Sequence, residues 1–395
     1  MKTISFSCFV YEEGKSGISE YINSVLNELI KEHHIIIHIL AKEHSFLKKE
    51  IARSVKIQYK IYPDILGRPV LNLLFHTLVL PFIFIFEKTE IIYLPAANRR
   101  QLLFYPRYTI GIVHDLAELH LTQKFGFLRW LRMRFYTPLF LKGIDHLIAI
   151  SNTTKQDLIQ FYNLKEDTIT VVYNGVKAKN KKCDRGKELV PRLFSRANVN
   201  IEDKIPQPST LKLQRSHFSY FLYVSRIEHP GKNHIRLIEA YEKLTSEIRD
   251  NYDLIFAGNL KENHQTVIDR IKSSPQNEKI HLLGFVSDEK LQDLYNGASL
   301  YICPSLYEGF GLTVLEAMSN GIPVISSTAG ALPEICGDAA LFFDPYSVDE
   351  IRMSIEKVIL NYDYAKSITN KANEHIKRFS WVKHVKTIIQ GRHHE

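Results

Sequence analysis

Short apolar runs rich in β-branched residues recur along the chain, separated by stretches whose apolar positions repeat every three or four residues. That alternation predicts βαβ units and parallel sheets. In the first half the pattern predicts strands at Ile4–Val10, Ile35–Leu40, Val55–Ile61, Ile91–Leu94, Tyr108–Val113, His146–Ile150 and Ile169–Val172. Helices are predicted over Ser19–Lys31 and Thr153–Phe161, with Ser19 as the cap of the first and Glu20 in its favourable first turn. From Lys177 to Ser216 the periodicity lapses among lysines, arginines and prolines, which predicts a linker or insertion at 177–216. A second series follows, with strands at Phe218–Val224, Tyr252–Ala257, Ile280–Leu283, Ser299–Cys303 and Pro323–Ser326. Its helices are predicted at Ile235–Leu244, Gln265–Ser273, Asp288–Tyr295, Thr313–Ser319 and Val348–Leu360. The economical α/β architecture is two Rossmann-like domains, 1–176 and 217–378, facing one another across a cleft, with ligand near the carboxyl ends of the strands.

Two segments depart from this rhythm. Val70–Phe86 is almost continuously apolar, yet it is shorter than the roughly 20 residues of a membrane span and carries Asn72, His76, Thr77 and Pro81. A buried core helix is the favoured reading, and a dip into a membrane the other. Lys124–Lys142 holds five cations, six aromatics and no acid. Leu128, Leu131 and Phe135 share one helical face, while Arg129 and Arg132 lie on another. Such a segment either packs its aromatics into the first domain or rests against anionic lipid headgroups.

The 395 residues exceed one ordinary core, and 45% hydrophobic with 24% charged residues is globular. The net charge of +8 favours an anionic partner such as a nucleotide or phospholipid surface. Nucleic acid is not expected, because no recognition module accompanies the basic stretch. Cys8, Cys183, Cys303 and Cys336 have no metal-ligand or paired spacing, and the start lacks a long apolar leader. Together these predict a cytoplasmic protein.

Candidate chemistry concentrates in the second half. Glu308 and Glu316 bracket Gly309-Phe310-Gly311-Leu312-Thr313, between an apolar strand and a helix. A helix N-terminus presents unpaired N–H groups that suit phosphate, and glycines let the backbone approach a ligand. The spacing lets one ligand reach both carboxylates and the amides between them, as a sugar joined through a diphosphate to a nucleoside would. Arg226 and Lys232 flank a Pro230-Gly231 turn just after the first strand of the second domain. Fixed cations there can stabilise a departing diphosphate.

With both motifs in place, the sequence resembles the retaining glycosyltransferases of the GT-B fold known as family 4, most strongly from Phe218 to Pro345. The resemblance implies that Glu308 contacts the donor sugar near the reacting centre and that Glu316 accepts from ribose hydroxyls. Arg226 and Lys232 would hold the diphosphate, and the amides of Gly309, Phe310, Gly311, Leu312 and Thr313 the sugar and phosphate. Gly284-Phe285-Val286 resembles the segment lining the nucleotide base. Gly330-Ala-Leu-Pro-Glu334 resembles a family loop usually written with two glycines, Ala331 replacing the second. In the first domain His114 matches a histidine near donor sugar and acceptor. Asp115 would orient it, touch acceptor or cap the next segment. Gly14-Lys-Ser-Gly17 resembles, more loosely, the family's glycine-rich loop, placing Gly17 near the donor phosphate or acceptor. Asn174-Gly175-Val176 resembles the boundary before the linker, though a turn explains it equally. Phe379-Ser-Trp381 resembles the point after which a helix, within 379–395, returns to the first domain.

No Asp-x-Asp element stands where a metal-dependent site needs one, so neither metal nor other cofactor is expected. The resemblance implies transfer with retention from a nucleotide sugar, with a slight preference for GDP-mannose. The acceptor would be a saccharide, lipid-linked or part of a lipopolysaccharide or polysaccharide precursor, at the cytoplasmic face of the membrane. A GT-B subunit that binds nucleotide sugar without transferring it is the competing expectation.

Overall fold

The computed structural model describes residues 1–121, 126–177 and 219–391, the side chain of Leu128 excepted. Apart from Lys177, the segment 177–216 lies outside the described residues, as does Cys183. The chain divides into two compact units, Met1–Lys177 with Phe379–Glu395, and Ala178–Arg378.

In the first unit seven parallel strands form one sheet: β1 (Thr3–Ser7), β2 (His34–Leu40), β3 (Ile57–Tyr62), β4 (Ile91–Leu94), β5 (Tyr108–Val113), β6 (His146–Ala149) and β7 (Ile169–Val171). Their order is β3-β2-β1-β4-β5-β6-β7. The second unit repeats the plan with β8 (Ser219–Val224), β9 (Tyr252–Ala257), β10 (Ile280–Leu282), β11 (Leu300–Cys303), β12 (Val324–Ser327) and β13 (Leu341–Phe343), ordered β10-β9-β8-β11-β12-β13. Every residue of β4 and β11 is buried. Parallel strands covered by helices on both faces read as unbroken apolar runs for this reason. In each sheet the winding reverses beside the first strand, between β1 and β4 and between β8 and β11. Such reversals leave a crevice beyond the carboxyl ends of the strands.

Several expected boundaries move. β1 stops at Ser7 rather than Val10 because the chain turns there, Tyr11 N–H closing on the Cys8 carbonyl at 3.0 Å. The first helix is Gly17–Glu32, and its cap is Ser16, whose Oγ accepts from Ser19 N–H at 3.2 Å. Ser19 instead sits in the first turn, accepting from Glu12 N–H at 3.0 Å. β13 and the helix Tyr362–His375 were not foreseen. β13 is three residues long, and the helix buries only Ile368, Thr369 and Ala372.

The largest departure is Pro69–Phe86. It is helical throughout, with a π turn at Phe75–Val79, but only 33% of it is buried. It is therefore not the core helix its composition favours. One side, with Leu80 and Phe84, joins the apolar core of the first unit, and the other faces outward. The C-terminal helix Trp381–Gln390 packs in the first unit. There Tyr21 OH lies 2.6 Å from Tyr93 OH and donates to His384 Nε2 at 2.9 Å, while His384 Nδ1–H donates to the Tyr173 carbonyl at 2.9 Å.

Candidate active site

The candidate residues of the second unit gather at its winding reversal. β8 runs into Ser225 and Arg226, and β11 runs into Pro304, Ser305 and Glu308. The two exits are stapled by Asn233, which adopts a left-handed backbone (φ 58°) and is 2% exposed. Its Nδ2 donates to the carbonyls of Pro304 at 3.0 Å and Pro345 at 2.7 Å, and Leu306 N–H reaches the Gly231 carbonyl at 2.9 Å.

These staples place Lys232 against Glu308. Its Nζ lies 2.5 Å from Glu308 Oε1, with the two side chains 11% and 20% exposed. Ser305 Oγ donates to the same oxygen at 2.6 Å, and Tyr223 OH bonds Ser305 Oγ at 2.8 Å and the Lys232 carbonyl at 3.1 Å. Glu308 is thus oriented by a hydroxyl and a cation on a single oxygen. An ammonium has three donors, so Lys232 retains capacity for a second anion. Arg226 sits further out, 45% exposed, with Nε 3.6 Å from the buried Glu228. The turn does not pair Arg226 and Lys232 with one carboxylate; each has its own.

Beyond Glu308 the helix Leu312–Ser319 starts from Gly311, whose φ of +99° is open to glycine and strained for other residues. The first amides of this helix have no partner within it, the arrangement that suits an anion. Phe310 is buried, while Leu312, Thr313 and Glu316 are partly open. Tyr295 OH donates to Glu316 Oε2 at 2.7 Å. The loop after β12 supports Glu308 from behind. Ala331 N–H donates to the Glu308 carbonyl at 2.9 Å, and Gly330 (φ +60°) lies so close that a Cβ there would stand 2.4 Å from that carbonyl oxygen. Ala331 replaces a family glycine without strain because its own φ is −80°. At the edge of the group Gly284 accepts from Gly258 N–H at 2.8 Å, and Phe285 is 46% exposed beside the partly buried Val286.

In the first unit His114 ends β5 and is 8% exposed. Its Nε2 lies 2.6 Å from the Pro95 carbonyl. A carbonyl only accepts, so Nε2 carries the proton and Nδ1 is the acceptor nitrogen. Burial, with repulsion from Arg99, pushes the pKa of His114 down to about 4, so the ring is neutral at neutral pH. Asp115 Oδ1 accepts from Ala117 N–H at 3.2 Å, and Oδ2 stands 3.9 Å from Arg99. Gly17 opens its helix, with nothing within 4 Å of where a Cβ would stand. Sequence reasoning missed Ser305, Asn233, Tyr223 and Tyr295. The Pro-Ser preceding Glu308 was the one available sign.

Comparison with known proteins completes the picture. Residues 212–375 match the family described as glycosyl transferases group 1, and residues 15–180 match glycosyltransferase family 4. The chain is 31% identical over 253 residues to the O-antigen chain mannosyltransferase B of Escherichia coli, covering 63% of this chain and 61% of that protein. It is 27% identical over 290 residues to the serotype-specific mannosyltransferase WbdA of Escherichia coli, covering 72% of this chain and 33% of that protein. The chain thus spans less than two thirds of the length of these curated relatives. Among solved structures, Anabaena Alr3699/HepE in complex with UDP and glucose aligns over 99% of both chains with a TM-score of 0.71 at 17% identity. Two parallel-sheet units, the second with Lys232 and Glu308 together at its winding reversal, and matches running through both units lead to one assignment: the chain belongs to family 4 of the GT-B glycosyltransferases.

Proposed function

We propose that the protein is a retaining, metal-independent glycosyltransferase. It moves a hexosyl group, preferentially mannose from GDP-mannose, onto a saccharide acceptor of a lipopolysaccharide or polysaccharide precursor. The observation that carries this reading is the Ser305–Glu308–Lys232 group at the β8/β11 reversal, beside an open helix N-terminus. The mannosyltransferase relatives favour the sugar.

In this reading the second unit holds the donor. Phe285 and Val286 line the base, and Glu316, steadied by Tyr295, accepts from the ribose. The amides of Gly309 through Thr313, with Arg226 and Lys232, hold the diphosphate. Negative charge grows on the leaving phosphate as the bond from the sugar's anomeric carbon to its oxygen breaks. Lys232 and the helix end meet that charge without rearranging. The acceptor hydroxyl attacks on the same face, forming the new glycosidic bond, and its proton passes to the leaving phosphate oxygen. Glu308 Oε2, opposite the occupied Oε1, stabilises the sugar without bonding to it covalently. The first unit serves the acceptor. His114 offers Nδ1 to a sugar hydroxyl, Asp115 and Arg99 lie next to it, and Gly17 brings backbone near the ligand. A lipid-linked acceptor is met at the cytoplasmic face of the membrane, where the protein is peripheral.

The test is turnover of a panel of nucleotide sugars by purified protein with extracted lipid acceptors, with the anomeric configuration of the product read by NMR. Retention, transfer in the presence of a chelator, and at least about a hundredfold loss of kcat in Lys232→Ala and Glu308→Gln are expected. Full turnover by either variant refutes the site. Nucleotide-sugar binding with no transfer across the panel assigns the chain to binding alone.

A further inference from the structure

Two helical segments of the first unit present continuous apolar stripes to solvent. On Pro69–Phe86 the exposed residues Val70, Leu74, Leu78, Phe82 and Phe86 recur every four positions, with exposures from 45% to 86%. On the helix over 127–141, Phe127, Leu131, Phe135 and Leu139 do the same, from 39% to 71%. A four-residue step overshoots one α-helical turn by about 40°, so such a stripe would normally wind away from one face. Each segment carries a π turn at mid-length, Phe75–Val79 and Arg132–Tyr136. A π turn takes more residues per revolution and winds the stripe back. Both stripes therefore stay aligned.

The two belong to one surface. Beneath them Leu80, Phe84, Met133 and Leu141 share a single apolar core. The segment between β4 and β5 bridges them: Phe104 stacks edge-on to Phe82 at 5.1 Å, and Tyr105 OH donates to the Phe140 carbonyl at 2.9 Å. Leu103, 49% exposed, extends the apolar cover. Isolated exposed apolar residues are ordinary, but aligned and contiguous ones of this extent mark an interaction surface.

Charge selects the partner. Neither segment contains an acid, whereas Arg68, Lys88, Arg107 and Lys142 are exposed at their ends. Arg107 Nη2 donates to the Ile85 carbonyl at 3.1 Å, which fixes that cation at the helix end. The acids nearest in sequence are engaged: the buried Glu87 accepts from Ser5 Oγ at 2.7 Å and pairs with Lys60 at 2.8 Å, Asp145 accepts from Thr109 N–H at 2.7 Å, Asp64 from Lys42 N–H at 2.7 Å and Glu90 from Thr3 N–H at 3.1 Å. A second copy of this face would set cation against cation, while an anionic headgroup layer complements it. Spanning is ruled out by the inner side of Pro69–Phe86. His76 bonds Ser7 Oγ at 2.9 Å and donates to the Gln101 carbonyl at 3.0 Å, and Thr77 accepts from Leu103 N–H at 2.9 Å.

We infer that these two helices form a docking surface for an anionic lipid bilayer, lying flat in the boundary between headgroups and acyl chains with both stripes inserted. The inference deepens the proposed function, and rests on it for the reason a lipid-linked acceptor would need this face.

The test is flotation of the full chain with vesicles of equal parts phosphatidylglycerol and phosphatidylcholine, and with vesicles of phosphatidylcholine alone. Binding to the anionic vesicles is expected to be at least about tenfold tighter. Leu74→Glu/Leu78→Glu/Leu139→Glu should weaken it at least about tenfold, and Arg68→Glu/Lys88→Glu/Arg107→Glu should abolish the preference for anionic lipid. Should the apolar variant not fold, Leu139→Trp keeps the face apolar, and its fluorescence should be quenched by acyl-brominated lipid. No vesicle binding, unchanged binding by the folded glutamate variant, or an unquenched Trp overturns the proposal. So does a concentration-dependent dimer that the glutamate variant dissociates, which would give the face to a second copy. Transfer to a water-soluble saccharide without vesicle binding removes the docking surface and leaves the reaction. Vesicle binding without transfer does the reverse.

Discussion

At the scale of single residues, the carboxylate and cation of the candidate site depend on neighbours that carry no obvious chemistry. Asn233 contributes two buried hydrogen bonds that join the exits of β8, β11 and β13. Replacing it by Ala strands two carbonyls, at roughly 1–3 kcal/mol each, so urea denaturation should show a loss of about 2–6 kcal/mol. Gly330 is a sharper probe of position. A methyl there meets the Glu308 carbonyl at 2.4 Å in a backbone that already disfavours side chains. Gly330→Ala should displace Glu308 and lower kcat by about a hundredfold, since displacements near 1 Å carry that penalty. Nucleotide affinity, measured by calorimetry, should change far less because Glu316 and Tyr295 stand on other elements. An unchanged kcat would show that Glu308 does not need this placement. Glu308, Glu316, Arg226 and Lys232 were legible because their spacing around a glycine-bearing loop is itself chemical information. Ser305 and Asn233 were not, because a Ser or Asn in a loop is common, and the carbonyls that Asn233 joins lie far along the chain.

At the scale of elements, helix boundaries were set by local hydrogen bonds and helix exposure by the surroundings. Ser16 rather than Ser19 caps the first long helix because its hydroxyl reaches an open N–H one turn in. The C-terminal helix is tied into the first unit through His384. Burial, reinforced by His114, holds its pKa down at about 4. His114 is similarly depressed to about 4, and His76 to about 3. The folded state therefore refuses protons that the unfolded chain accepts below about pH 6.5. Stability is complete above that pH and falls as pH drops toward about 4, by up to about 1.4 kcal/mol per pH unit for each histidine. The melting temperature should decline across this window, and His384→Gln should flatten the decline by about one proton. A melting temperature independent of pH there would contradict the buried neutral rings.

At the scale of the whole molecule, the first six strands of each unit follow the same order, and each winding reversal collects loops distant in sequence. If the second unit holds the donor, a nucleoside diphosphate should slow amide exchange at 225–233, 284–286 and 305–316, and leave 69–86 unchanged. At a hundredfold excess over Kd it should stabilise the protein by about 2.7 kcal/mol, read as a raised melting temperature. Protection confined to the first unit would reverse the assignment of donor and acceptor.

The sequence by itself determined the α/β class, nearly every strand and the motifs from which the candidate residues were drawn. Apolar period and functional spacing are local properties of a chain. Only the tertiary structure decided which cation and which amide hold Glu308, because Lys232 and Ala331 reach it from the ends of other strands, far away in sequence. It alone also decided that Pro69–Phe86 turns much of its apolar surface outward. An apolar helix looks the same in sequence whether one side of it or all of it is covered, and the area of the sheet and loops beneath sets how much is left exposed.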